Sequence, residues 1–193
     1  MLLKKIAFAV VVSVCTTGAA NAVPITGSGS VSLIGVSTAP TGSIGLNTTF
    51  SFIFSLISGS SGNLSGVPVA SSLTTMAMTS TVGTAVGFNA AWGSFSGLVD
   101  FANASGPAFN RVVDIRAVGT FTPLSGPPDL SAFDSGQMTM TFSANQTGSA
   151  TGAVAASYTI ASAAAAVPEP GSLALVGLGL LAVGGLSRRK VVA

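Results

Sequence analysis

The chain has 193 residues, room for one modest domain plus targeting segments. Charged residues are 6% of it and histidine is absent, against roughly a quarter charged in an ordinary soluble protein. Between residues 23 and 160 the two basic residues, Arg111 and Arg116, face Asp100, Asp114, Asp129 and Asp134, so two minus four leaves a net charge of −2. The pI near 9.1 therefore belongs to the termini. Nucleic acid is excluded as a partner, because it requires clustered Lys and Arg.

Residues 1–22 have the three parts of a secretory signal in order. Lys4 and Lys5 are the positive start, Ile6 to Val14 the apolar stretch, and Ala20-Asn21-Ala22 a small-x-small cleavage site. Cleavage by signal peptidase after export by Sec-type machinery would leave Val23 as the first residue. A lipid-attachment signal at Cys15 would need a small residue where Val14 stands. Cys15 is the only cysteine. Removal of the signal leaves a domain without disulfides, stabilised by packing and backbone pairing or by a bound ion.

Of the 138 residues from 23 to 160, 64 are Ser, Thr, Gly or Asn, yet a period of two runs through them. Phe50, Phe52, Phe54 and Leu56 alternate with Ser51, Ile53 and Ser55. Val86, Phe88, Ala90 and Trp92 take every second place in the next run. Val113, Ile115 and Ala117 face away from Asp114 and Arg116. Met138, Met140, Phe142 and Ala144 alternate with Gln137, Thr139, Thr141, Ser143 and Asn145. A Gly-rich turn then leads to Val154, Ala156, Tyr158 and Ile160, which predicts a hairpin with one wet face. With weaker runs near Val31 and Met76, about seven strands are expected. The fold class is therefore all-β, an antiparallel β-sandwich or jelly roll over 23–160. It is flanked by the signal peptide and by a single hydrophobic C-terminal helix. The longest loops, 102–110 and 122–136, are the expected binding loops. Residues 161–166 read as an Ala-rich spacer.

Catalytic chemistry has little to work with. The 23–160 domain lacks His, Cys, Lys and Glu, which excludes Ser-His-Asp and Cys-His triads and zinc sites built on His or Cys. The four aspartates lack calcium-loop spacing. No catalytic residue, metal site or cofactor is assigned, and the chain is not expected to be an enzyme. Trp92 and Tyr158 could stack on sugars but occupy the apolar phase, which assigns them to the core. Arg111 offers a possible anion contact.

The C-terminal segment, 167–190, opens on Val167 and the rigid Pro168-Glu169-Pro170, where both prolines disfavour helix. An apolar run from Ser172 to Leu186 follows, then Ser187 and the basic Arg188, Arg189 and Lys190. As a helix, Leu173–Leu186 would span roughly 21 Å, short of the ~30 Å hydrocarbon core, so it forms a marginal anchor. The basic residues act as the stop and orientation signal, leaving everything upstream outside.

This layout resembles the PEP-CTERM sorting signal of Gram-negative bacteria, with Pro168, Glu169 and Pro170 as the motif. The resemblance implies a protein held transiently in the cell membrane, processed by exosortase and delivered to the cell surface or beyond, in bacteria that make extracellular polysaccharide. The expected role is structural or adhesive, linked to biofilm or exopolysaccharide. The alternative is a glycan-, calcium- or ice-binding module using loops of the sandwich. Ice binding would need aligned Thr-x-Thr rows, of which Thr120–Thr122 and Thr139–Thr141 are isolated instances.

Overall fold

A computed structural model describes residues 23–108 and 110–162. These residues form eleven strands and, among them, no helix. The strands are β1 (Gly27–Ile34), β2 (Ser37–Ala39), β3 (Thr49–Ser51), β4 (Phe54–Gly62), β5 (Ser72–Thr75), β6 (Met78–Thr79), β7 (Ala85–Ala90), β8 (Gly93–Ser105), β9 (Asn110–Pro123), β10 (Gly136–Thr147) and β11 (Val154–Ser162).

The sandwich expectation needs correction. Eight strands close into one antiparallel barrel in the order β1-β11-β10-β9-β8-β7-β5-β4, beside a three-stranded sheet β2-β3-β6. The all-β, mostly antiparallel reading holds, and the β10–β11 hairpin pairs in full register from Met138–Ser162 to Gln146–Val154. Sandwich and barrel demand the same period of two in each strand. The difference lies in β5, whose four residues bridge β4 and β7 and close the wall.

At eight strands a barrel interior is just wide enough to be filled by side chains. Val31, Ile57, Val86, Phe88, Phe95, Val113, Ile115, Met140, Phe142, Tyr158 and Ile160 are all buried in one core. The outward positions carry Ser28, Ser30 and Ser32 on β1, Thr141 and Ser143 on β10, and Ser157 and Thr159 on β11, all exposed. That is the reverse of a transmembrane barrel, whose outside is an apolar band and whose inside is polar.

The longest strands need a device to curve. Gly97 on β8 lies opposite Gly119 on β9. A Cβ at Gly119 would fall on the Ser96 carbonyl oxygen and the Gly97 Cα, so the two backbones approach too closely for any side chain. Just beyond, the register slips between Val99 and Phe101, which leaves Asp100 as an extra residue. The bulge turns both Asp100 and Phe101 outward. Arg116 on β9 makes a bidentate pair with Asp100, with Nη2–Oδ2 at 2.8 Å, and lies 5.9 Å from the Phe101 ring centroid.

Loop 102–110 also departs from expectation. Ala102–Ser105 continue β8 and Asn110 opens β9. The run from Phe50 to Leu56 is not one strand either. Phe50 belongs to the small sheet and packs on Phe142 of the barrel, with ring centroids 5.1 Å apart. The chain then crosses at Phe52–Ile53 into β4 and the phase inverts. Ser55 is buried while Phe54 is exposed.

Tyr158 hydrogen-bonds Thr75 inside the barrel, oxygen to oxygen 3.0 Å. Burial raises its pKa above the usual phenol value, and the Thr75 bond works weakly against that. The unfolded chain therefore loses this proton first. Stability should be fully present below about pH 10 and fall as pH rises further. Tyr158 is the only tyrosine, and residues 23–162 contain no His, Cys or Lys, the other side chains whose ordinary pKa values lie in the neutral-to-alkaline range. Denaturant midpoints should be flat from about pH 6 to 9 and then drop, and Tyr158→Phe should remove the drop. An unchanged alkaline limb in that variant would contradict the assignment.

Candidate functional site

The inversion at Phe52–Ser55 creates the most distinctive surface of the barrel. In the β4–β5 register Ser55 lies opposite Leu73 and Leu56 opposite Ser72, which places Phe54 beside Thr74. Thr74 in turn lies opposite Asn89 of β7. Phe54, Thr74 and Asn89 thus form one outward row across three strands, and all three are exposed. β5, with Ser72 and Thr74 outward, lies between β4 and β7. The result is an open groove of about 630 Å³, with Ile53 and Phe54 on one side, Asn89 and Ala91 on the other, and Ser72 and Thr74 beneath. Ile53 is 72% and Phe54 60% exposed, so two adjacent apolar side chains meet solvent at the groove. No charged residue lines the groove.

The loops expected to bind are instead occupied with holding the ends together. In the 124–135 segment, Leu124 N–H donates to the Trp92 carbonyl, Leu130 N–H to Leu124, and Asp134 N–H to Val23. Asp129 Oδ1 accepts from both the backbone N–H and the hydroxyl of Ser131 at 2.9 and 2.7 Å. These bonds pull its pKa below the ordinary carboxylate range. The Arg116 guanidinium does the same for Asp100. Asp114 lies on β9, away from Asp129 and Asp134 in their loop. Among the described residues no three His, Cys, Asp or Glu side chains converge as a metal site would require.

Arg111 is a strut. Its Nε donates to the Ile44 carbonyl at 3.0 Å. Beside it Gln146, buried at the end of β10, accepts from Ile44 N–H and donates through Nε2 to the carbonyls of Gly42, Ala150 and Gly152. One amide therefore fixes two loops. Sequence reading passed over Gln146, although a polar residue in phase with Met138, Met140, Phe142 and Ala144 is a signal of a buried hydrogen-bonding role.

Trp92 is 3% exposed and packs against Phe88 and Phe121, with centroids 5.7 Å away in both cases. Its indole Nε1 has no hydrogen-bond partner among the described residues. Neither Trp92 nor Tyr158 can meet a sugar from solvent. The two Thr-x-Thr pairs do not align, since Thr139 and Thr141 lie opposite Val118 and Arg116 while Thr120 faces Gln137.

The sorting residues Pro168, Glu169 and Pro170, the basic Arg188, Arg189 and Lys190, and Ala20 and Ala22 of the cleavage site all lie outside the described residues, as does the expected hydrophobic helix. Among the described residues no helix is long and apolar enough to cross a membrane. Comparison with known proteins bears on this part of the chain. No curated protein matches, and no solved structure does. Among protein families, residues 166–190 match the PEP-CTERM protein-sorting motif. The chain therefore carries the signal of an exported protein that is anchored in the membrane and handed to exosortase.

Proposed function

We propose that this protein is a non-catalytic component of the surface or extracellular matrix of a Gram-negative bacterium. On this reading residues 1–22 direct Sec-type export and are removed by signal peptidase after Ala22. Residues 167–190 hold the chain in the membrane until exosortase acts at Pro168-Glu169-Pro170. The delivered barrel then works in contact with exopolysaccharide, as part of a biofilm.

One observation carries the reading of the barrel: the outward rows of β1, β10 and β11 are mostly serine and threonine, with Gln137, Asn145 and small or apolar residues between them and no charged side chain. A rigid wall of short hydroxyl side chains can exchange hydrogen bonds with a hydrated, uncharged polymer at little entropic cost. Asp100 and Arg116 pair with each other, Asp129 holds a turn and Arg111 is a strut. Fractionation of cultures tests this. The protein is expected in the matrix fraction, retained through a high-salt wash because the contact is uncharged, and released when the polysaccharide is enzymatically degraded. Recovery only from the cytoplasm or cell membrane would sink the proposal, as would release by salt alone.

A further inference from the structure

The groove over β5 is a feature that the surface role does not by itself require, and its lining restricts what can occupy it. We infer that it binds a neutral polysaccharide strand, with one sugar ring lying on Phe54 and its neighbours hydrogen-bonded by Asn89, Thr74 and Ser72. The inference rests on the matrix reading above and assigns that contact to a place.

Absence of charge in the lining removes phosphate, carboxylate and basic peptide ligands, which need a compensating partner when they leave water. A purely apolar ligand fits poorly too, since it would cover the Asn89 amide and two hydroxyls without replacing their bonds to water. A carbohydrate satisfies both demands. Its ring presents an apolar C–H face to an aromatic side chain, and its hydroxyls both donate and accept. Asn89 offers a donor and an acceptor on one side chain, and Ser72 and Thr74 each offer the same through a hydroxyl.

Geometry agrees with the chemistry. Phe54, Thr74 and Asn89 sit on adjacent strands, so the row from ring to amide is on the order of 10 Å long, two interstrand steps. That length accommodates consecutive sugar residues crossing the strands. The site is also built rather than incidental. Burying Ser55 in the β4 wall is what turns Phe54 outward, and four-residue β5 supplies the low floor. Exposed Phe54 and Asn89 carry no core packing, so substituting them should leave the barrel intact.

The test uses full-chain protein released by cells that sort it, and beads carrying neutral exopolysaccharide purified from the same cells. Phe54→Ala and Asn89→Ala are each expected to weaken binding about tenfold or more, the loss of one good contact. Phe101→Ala removes another exposed ring, outside the groove, and should bind like the wild type. Trp92 emission confirms that each variant is folded. Wild-type binding that Phe54→Ala and Asn89→Ala leave unchanged would overturn the groove while leaving the matrix role standing. A wild type that binds no polymer would overturn both. If Phe54→Ala instead converts a dimer to a monomer in light scattering without touching polymer binding, the apolar wall is a self-association surface and the inference fails.

Discussion

Replacing Glu169 with alanine is expected to leave the C-terminal segment on the protein. The motif has two prolines, residues that disfavour helix, and between them a single side chain that can be read chemically. Glu169 is the only glutamate in the chain and the only acid after Asp134. A processing enzyme distinguishing this segment from an ordinary linker has that carboxylate to recognise, and desolvated recognition of one charge is worth enough to decide substrate from non-substrate. Intact mass is the measurement. Wild-type supernatant should contain a species starting at Val23 and ending near Pro168. In the variant that species should disappear, with the protein retained in the membrane fraction still bearing Arg188 to Ala193. Glu169→Asp, which keeps the charge and shortens the arm, should restore part of the release. Equal release from wild type and Glu169→Ala would mean that the segment works without the motif's acid, as a plain anchor or a differently cleaved one.

The two halves of this protein differ in how openly they can be read. Residues 166–190 match a sorting motif as linear sequence, legible without any fold. The strand at 137–145 is nearly as open, because one face is buried along its whole length and the alternation never breaks. Phe50 to Leu56 shows where such reading stops. Its period of two is unbroken in sequence, yet the chain changes sheets at Phe52–Ile53, and one residue of slip turns every later side chain over. Unbroken alternation puts Phe54 in phase with Phe50, yet Phe50 is buried and Phe54 exposed, while Ser55 is buried. The groove follows from that reversal and draws on β4, β5 and β7, so no stretch of sequence contains it. Barrel closure is hidden for a related reason. It depends on register across strands far apart in the chain, such as Gly97 against Gly119 and the slip at Asp100, which individual strand patterns do not record.

Phe142→Ala should come close to unfolding the barrel. The ring is fully buried and stands where the two sheets meet. Phe50 of the small sheet lies 5.1 Å away, centroid to centroid, and Phe52 6.1 Å. Removing it withdraws apolar area from the core and opens a cavity that two different sheets would have to collapse together to fill. Their strand pairing resists such collapse, which puts the cost in the upper part of the usual range, about 3–5 kcal/mol. A domain of this size has roughly 5–15 kcal/mol in total, and no disulfide is available among residues 23–162 to compensate. Trp92 is the only tryptophan and is buried in the same core, so its emission during urea unfolding measures the loss directly. The midpoint should fall steeply with the slope little changed, since the surface exposed on unfolding is almost the same. Phe54→Ala provides the contrast. Its ring is already in water, so the same chemical deletion should move the midpoint hardly at all, within about 0.5 kcal/mol. Comparable losses for the two variants would show that Phe54 is packed, and with it the outward turn of β4 on which the groove depends would have to be abandoned.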